Sequence, residues 1–275
     1  METLTFSRKI LFCCFFMLIT FAFLARAEEV EDERGFSYDE NSDTGPAHWG
    51  EIRPEWSLCN NGNMQSPIDL LNKRVQVVSN LGRLHREYKP SNATLKNRGH
   101  DMKLTWVGDA GHININGTSY HLKQCHWHSP SEHSIDGKRY DLEAHLVHET
   151  PDGKIAVIGI MYEIGRPDTF LSSMENYLKA LADTTDLEII VGNVDPERIK
   201  FGSRKYYRYI GSLTIPPCTQ NVVWTIVKKV RTVSRDQVKM IREAVHDESE
   251  ANARPIQPIN NRLVKMYRPH VDKED

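Results

Sequence analysis

Three histidines fall within eight residues of the segment QCHWHSPSEH, positions 124–133. His126 and His128 flank Trp127, so on a β-strand the two imidazoles share one face and the indole takes the other. Two imidazoles at this spacing can reach a single metal ion. The chemistry predicted here is therefore metal binding, and it requires a third ligand from another part of the chain.

A candidate for the third ligand lies in YDLEAHLVHE, positions 140–149. On a strand, His145 shares a face with Glu143, whereas His148 points to the opposite face. Catalytic zinc prefers three protein ligands and a water. A ligand histidine also needs an acceptor for its other ring nitrogen. Glu143 can serve His145 in this way, and Gln124 can serve His126. The spacing still leaves His133 and His148 open as the third ligand, and ordinary histidines of a sheet remain the alternative to a metal site.

The first 27 residues have the layout of a secretory signal peptide. A basic pair precedes an apolar run, and Ala25-Arg26-Ala27 offers a cleavage site. No later apolar segment is long enough to span a bilayer, so the mature chain is expected to have no membrane span. Residues 28–35 form an acidic leader that we expect to be solvated, and 271–275 a short tail. The net charge is −2 and the sequence has no basic block, and both argue against a nucleic-acid partner.

Cys59, Cys125 and Cys218 remain after signal cleavage. An oxidising compartment then favours one disulfide and one free thiol, and the spacing alone does not choose the pair. Asn92-Ala-Thr and Asn116-Gly-Thr are acceptor sequons for N-glycosylation in a secreted chain.

Elements that would position these residues are mostly strands. Alternating patterns predict strands at 102–107, 112–115, 119–128, 140–149, 155–163, 187–191, 206–214 and 222–231. Helices are predicted over 168–182, behind an Asp168 cap, and over 234–245, behind a capping box of Ser234 and Gln237. Turns are expected at Asn116-Gly117 and at 151–153. The prediction is one mainly β domain, residues 36–270, built on a large, mostly antiparallel central sheet with a few peripheral helices.

Several motifs in one order resemble the alpha-class carbonic anhydrases, most closely the secreted plant members. They are GPAHWGEI (45–52), QSPIDL (65–70), QCHWHSPSEH, LEAHLVHE, GSLTIPPC (211–218) and NARPIQPINNR (252–262). The resemblance covers nearly all of the mature chain. It implies the carbonic anhydrase fold, a Zn²⁺ cofactor and the reversible hydration of carbon dioxide to bicarbonate and a proton, by attack of zinc-bound hydroxide.

The resemblance also assigns residues. It implies zinc ligands at His126, His128 and His145, supported by Gln124, Glu143 and the carbonyl of Asn252. It implies that Glu132 accepts a hydrogen bond from Thr214, which orients the hydroxide, and that a partly exposed His100 accepts the proton. An apolar pocket for carbon dioxide is implied at Val147, Val157, Leu213, Val222 and Trp224. A Cys59–Cys218 disulfide is implied too, which leaves Cys125 as a buried thiol.

Two residues that differ from the family pattern bear on the catalytic rate and on inhibitor preference. Ile215 stands where many members have a polar residue, and Lys103 where a small amide is common. The alternative function is a non-catalytic storage or binding protein of the same family, and a weak esterase activity is a third reading. The absence of an H-E-x-x-H motif from the sequence argues against a protease. The expected destination is extracellular, with the chloroplast stroma reached through the secretory route as the alternative. The sequence leaves the oligomeric state open.

Overall fold

The computed structural model describes residues 29–182, 184, 187–243, 245 and 251–269. The predicted signal peptide and the tail 271–275 lie outside these residues. The strands are β1 Asp69–Leu70, β2 Gln76–Val77, β3 His85–Tyr88, β4 Ser91–Asn97, β5 Met102–Val107, β6 Gly111–Ile115, β7 Thr118–His128, β8 Ser134–Ile135, β9 Leu142–Glu149, β10 Ile155–Ile164, β11 Glu188–Val194, β12 Tyr206–Ser212, β13 Gln220–Val227, β14 Arg231–Val233 and β15 Lys265–Tyr267. The α-helices are α1 Trp49–Ile52, α2 Leu58–Asn61, α3 Thr169–Leu181 and α4 Arg235–Glu243.

One large sheet organises the described chain. Its main path runs β11-β4-β5-β7-β9-β10-β13-β12-β15-β2, with β14, β3 and β6 paired beside it. Most neighbours are antiparallel, as predicted, but β10 is parallel to β13 and β14, and β15 is parallel to β2. The sheet is therefore mixed. The pairing of β7 with β9 and of β9 with β10 places the strands that carry His126, His128 and His145 at its centre.

Alternation along the central strands separates two faces of the sheet. On one face Cys125, Trp127 and Ala144 belong to an apolar core that includes Leu178 of α3 and Ile241 of α4. On the other face Val147, Val157 and Trp224 belong to a second apolar cluster. The two helices thus cover the face opposite the histidines.

The predicted helix starts are confirmed. Asp168 Oδ1 accepts hydrogen bonds from the backbone N–H of Phe170 and of Leu171. Ser234 Oγ accepts from Gln237 N–H, while Gln237 Oε1 accepts from Ser234 N–H, which is a reciprocal capping box. The Gln237 amide also donates to the Asp168 carbonyl, so it joins the starts of α3 and α4.

The loop-rich start of the domain forms a small aromatic cluster. Phe36, Tyr38, Trp49 and Trp56 pack there with Ile215, beside the Cys59–Cys218 disulfide, which confirms the predicted pairing. Cys125 is the free cysteine among the described residues and is buried, also as predicted.

Candidate metal centre

Strand register brings three histidines together. In the β7–β9 pair His126 lies directly opposite His145, and His128 lies opposite Glu143. One ring nitrogen from each of His126, His128 and His145 lies within 4.8 Å of the others, and all three side chains are buried. These are the ligands predicted from the sequence, and the group could hold a metal ion.

A separate acceptor holds each ring. His126 Nδ1–H donates to Gln124 Oε1 at 2.8 Å, and His128 Nδ1–H donates to the Asn252 carbonyl at 2.7 Å. His145 Nε2–H donates to Glu143 Oε1 at 2.9 Å. The acceptors therefore fix the tautomers, so that the lone pairs of two Nε2 atoms and one Nδ1 atom face the space between the rings.

The nitrogens that face one another fit a metal ion. His128 Nε2 is buried and has no hydrogen-bond partner among the described residues. A buried acceptor without a partner is costly, and a cation coordinated by the three rings would satisfy it. Burial, reinforced by the neighbouring His128, holds the pKa of His126 well below its ordinary value, so the ring stays neutral, as a ligand must be. Three neutral imidazoles are a donor set used by catalytic zinc sites.

Glu143 belongs to a buried network. Its Oε1 also accepts from His133 Nδ1–H at 2.8 Å, and its Oε2 accepts from the His133 backbone N–H at 2.8 Å. Burial would raise the pKa of Glu143, but His133 and His145 together hold it well below its usual value. His133 Nε2 accepts from Tyr209 Oη–H at 2.7 Å, so both His133 ring nitrogens are engaged away from the three-histidine group.

His148, the other open alternative, lies on the opposite face of β9. Its Nδ1–H donates to the Ala156 carbonyl, and its Nε2 accepts from Tyr88 Oη–H at 2.7 Å. The structure therefore brings His145, and neither His133 nor His148, to His126 and His128.

Glu132 is placed differently from the prediction. It is fully buried, and its Oε1 accepts from Arg254 N–H at 3.0 Å. Its Oε2 lies 3.6 Å from His128 Nε2 and 3.9 Å from His145 Nδ1. That oxygen accepts no hydrogen bond from any residue in the described ranges, so the predicted bond from Thr214 is absent. Thr214 is buried on the chain that follows β12. The carboxylate oxygen faces the ring nitrogens instead.

An open cavity, which we call the cleft, adjoins the three-histidine group at Gln124, the hydrogen-bond partner of His126. It encloses about 430 Å³, and its lining includes Glu29, Glu31, Lys103, Gln124, Val147 and Leu213. The predicted apolar residues Val147, Val157, Leu213, Val222 and Trp224 are all buried in one cluster. They form an apolar wall on the same side of the sheet as the histidines.

The acidic leader is only partly solvated, which corrects the expectation from the sequence. The side chains of Glu29 and Glu33 are 10 % and 1 % exposed, whereas those of Glu31 and Asp32 are 59 % and 57 % exposed. Lys103, noted above as a difference from the family pattern, pairs with Glu31 of this segment. Local patterning could not show these contacts because the partners are far apart in sequence.

His100 is buried rather than partly exposed. Its ring packs against the rings of Phe36 and Tyr38, and its Nε2–H donates to the Phe36 carbonyl at 2.7 Å. The Asn252 amide donates to the His100 carbonyl. The segment at 36–38 therefore covers a ring that was expected to be partly exposed.

The two sequons are both accessible in the structure. Asn92 is exposed on β4, and Asn116 is exposed in the turn between β6 and β7. No helix within the described ranges is long and apolar enough to cross a membrane.

The fold and the three-histidine group, which could hold a metal ion, can be compared with those of known proteins. The model of the eukaryotic-type carbonic anhydrase family matches residues 44–268. The chain belongs to this family. It is 56 % identical over 266 residues to alpha carbonic anhydrase 7 of Arabidopsis thaliana, covering 95 % of this chain and 97 % of the relative.

Two solved structures show the same fold. The crystal structure of dioscorin complexed with ascorbate has a TM-score of 0.84 and 44 % identity, covering 86 % of this chain and 99 % of dioscorin. The alpha-carbonic anhydrase from Thermovibrio ammonificans, in complex with sulfanilamide, has a TM-score of 0.76 and 34 % identity, covering 84 % of this chain and 98 % of the relative.

Proposed function

We propose that this protein is a zinc-dependent carbonic anhydrase that reversibly hydrates carbon dioxide to bicarbonate and a proton. The observation that carries the proposal is the His126–His128–His145 group, with each ring held by its own acceptor. When bound, Zn²⁺ would act as a Lewis acid that makes a hydroxide nucleophile available near neutral pH.

The residues of this chain supply position and environment. Gln124, Glu143 and the Asn252 carbonyl hold the three rings in place and fix their tautomers, as their hydrogen bonds indicate. The apolar wall that includes Val147 and Leu213 suits carbon dioxide, which is uncharged, and keeps water from surrounding it.

Three further residues act in this proposal. The Thr214 hydroxyl would orient the nucleophile, and Glu132 would accept the hydrogen bond of this hydroxyl once the Glu132 carboxylate turns from the ring nitrogens. His100 would accept the proton released in each cycle. Its bond to Phe36 means that the ring has to exchange this partner to pass the proton on.

Zinc content and carbon dioxide hydration, measured together on the purified mature chain, test the proposal. We expect one zinc per chain and rapid hydration. His145→Ala should lose most of both, whereas His85→Ala, on an exposed position of β3, should keep both. Full activity of His145→Ala would contradict the assignment.

The similarity to dioscorin favours a second candidate, a non-catalytic binding protein of the same family. One zinc per chain without hydration activity would support this candidate. Both functions share the three-histidine centre, so only the activity measurement separates them.

We also propose entry into the secretory pathway, with the extracellular space as the destination and the chloroplast stroma as the alternative. The Cys59–Cys218 disulfide supports an oxidising compartment. N-terminal sequencing should find cleavage after Ala27, and endoglycosidase treatment should reveal glycans at Asn92 or Asn116. A retained N-terminus would contradict the proposal.

A further inference from the structure

The acidic segment Glu29–Glu33 crosses one wall of the cleft. Backbone hydrogen bonds fasten it at two points: Val30 N–H donates to the Pro216 carbonyl at 3.3 Å, and Glu33 N–H donates to the Arg98 carbonyl at 2.9 Å. The first contact reaches the chain that follows β12, and the second reaches the turn between β4 and β5. The segment is thus a fixed part of the cleft.

Buried charges strengthen this attachment. The side chain of Arg98 is 1 % exposed and lies 3.0 Å from a Glu29 oxygen and 3.2 Å from a Glu33 oxygen. Arg98 also pairs with Asp101, and Lys103 pairs with Glu31. A buried guanidinium without partners would be very unfavourable, so Arg98 requires these carboxylates in order to stay buried.

Glu29 also contacts the support of a metal ligand. Gln124 Nε2–H donates to Glu29 Oε2 at 2.9 Å, while Gln124 Oε1 accepts from His126 Nδ1–H at 2.8 Å. A carboxylate only accepts hydrogen bonds, so it selects the NH₂ side of the Gln124 amide. The oxygen of the amide then has to face His126.

The orientation of this amide matters for the ring. A reversed amide would present its NH₂ group to His126 Nδ1–H, which would set two donors against each other. The ring would then favour the tautomer with its proton on Nε2, the nitrogen that faces the other two histidines. Glu29 therefore stabilises the tautomer that binds metal, through one intervening side chain.

We propose that Glu29 is a positioning residue of the metal centre, which orients the Gln124 amide and through it the ring of His126. The inference rests on the zinc site of the proposed function. It makes the N-terminal segment part of the site, although this segment lies outside the residues matched by the family model.

Zinc release to a chelator tests this, using the chain that begins at residue 28. Loss of a residue that directly supports a ligand typically lowers metal affinity about 10–100-fold. Glu29→Ala acts one residue further away, so we expect release roughly 3–10-fold faster. Glu29→Gln keeps an oxygen acceptor and should restore most of the slow release. Glu31→Ala is the matched control: it removes a carboxylate of the same segment that contacts Lys103 and not Gln124, and it should release zinc at the wild-type rate.

A double-variant cycle identifies the route. In a Gln124→Ala background, Glu29→Ala should cause no additional acceleration, because the side chain through which it acts is gone. The visible spectrum of the Co²⁺-substituted protein should change in Glu29→Ala and remain that of the wild type in Glu31→Ala.

Three results would overturn the inference: wild-type release from Glu29→Ala, equal acceleration by Glu31→Ala, or the same acceleration in the Gln124→Ala background. The last would show that Glu29 acts through Arg98 and the fold alone. Zinc binding without hydration activity would contradict the proposed enzyme and would leave this inference supported, provided that the release rates follow the expected order.

Discussion

Replacing Gly159 by alanine should weaken metal binding without any change to a ligand. Gly159 lies on β10 directly opposite His145 of β9. A Cβ built there would lie 2.8 Å from Glu143 Oε1 and 2.6 Å from Ile226 Cδ1. The Gly159 backbone is not in the left-handed region, so the substitution acts by contact alone.

The two contacted atoms differ in how easily they can move away from the new methyl group. Ile226 Cδ1 is the end of a flexible side chain, whereas Glu143 Oε1 is held by His133 and His145. Restoring ordinary contact requires a shift of about 0.6 Å at Glu143, which interiors this well packed do not absorb freely. The His145 hydrogen bond of 2.9 Å would be lengthened or misdirected by a shift of that size.

We expect zinc affinity to fall about 10–100-fold, or about 1.4–2.7 kcal/mol, the range typical for loss of such support. Competition with a chelator measures the affinity, and carbon dioxide hydration should fall with zinc occupancy. Ile226→Val removes the Cδ1 atom and separates the two contacts. Gly159→Ala/Ile226→Val should remain as weak as Gly159→Ala. Recovery in the double variant, or wild-type affinity in Gly159→Ala, would refute the argument from Glu143.

Three other outcomes are expected. Cys218→Ser removes a bridge between residues 159 apart, and a chain-entropy argument predicts that the free energy of unfolding falls by about 5 kcal/mol. Denaturant titration measures this change, and an unchanged midpoint would contradict it. Burial lowers the pKa of His148 to about 3, from 6.5 in the unfolded chain, so stability should fall as the pH drops through this window, by about 5 kcal/mol in total. His148→Gln should flatten the plot of unfolding free energy against pH there by up to about 1.4 kcal/mol per pH unit, and parallel plots would refute the assignment. His100→Ala should lower kcat in weak buffer, with recovery in imidazole and little change in kcat/KM; a kcat that stays the same, or one that buffer does not restore, would count against His100.

The sequence predicted the centre of the site well because strand alternation is a local property. His126 and His128 share a face on any regular strand, and so do Glu143 and His145, so two ligands and two acceptors follow from spacing. The choice of His145 over His133 and His148 came from the family resemblance. The irregular register between Leu122 and Gln124 could not be seen in this way. Only the family resemblance predicted the Asn252 carbonyl as an acceptor, because any residue type can supply a backbone carbonyl.

The fold was less completely predicted where pairing is long-range. Strand β4, SNATLKN, was missed because its exposed positions are polar and its apolar residues are few. The parallel pairing of β10 with β13 depends on which strands become neighbours, and no local pattern specifies that. Two contacts were not predicted for the same reason. Glu29 pairs with Arg98, and the segment at 36–38 covers His100; each contact joins residues more than sixty positions apart.

The buried Cys125 has a consequence for how the chain matures. In a chain that enters the secretory pathway from its N-terminus, Cys59 and Cys125 are both present in the oxidising lumen before Cys218 arrives. Their pairing is then the one disulfide available, and it is non-native. In the finished fold Cys125 is fully buried, and burial keeps the pKa of its thiol well above the ordinary value, so thiolate exchange is suppressed. In such a chain, formation of the sheet around β7 would bury the Cys125 thiol and leave Cys218 as the accessible partner of Cys59.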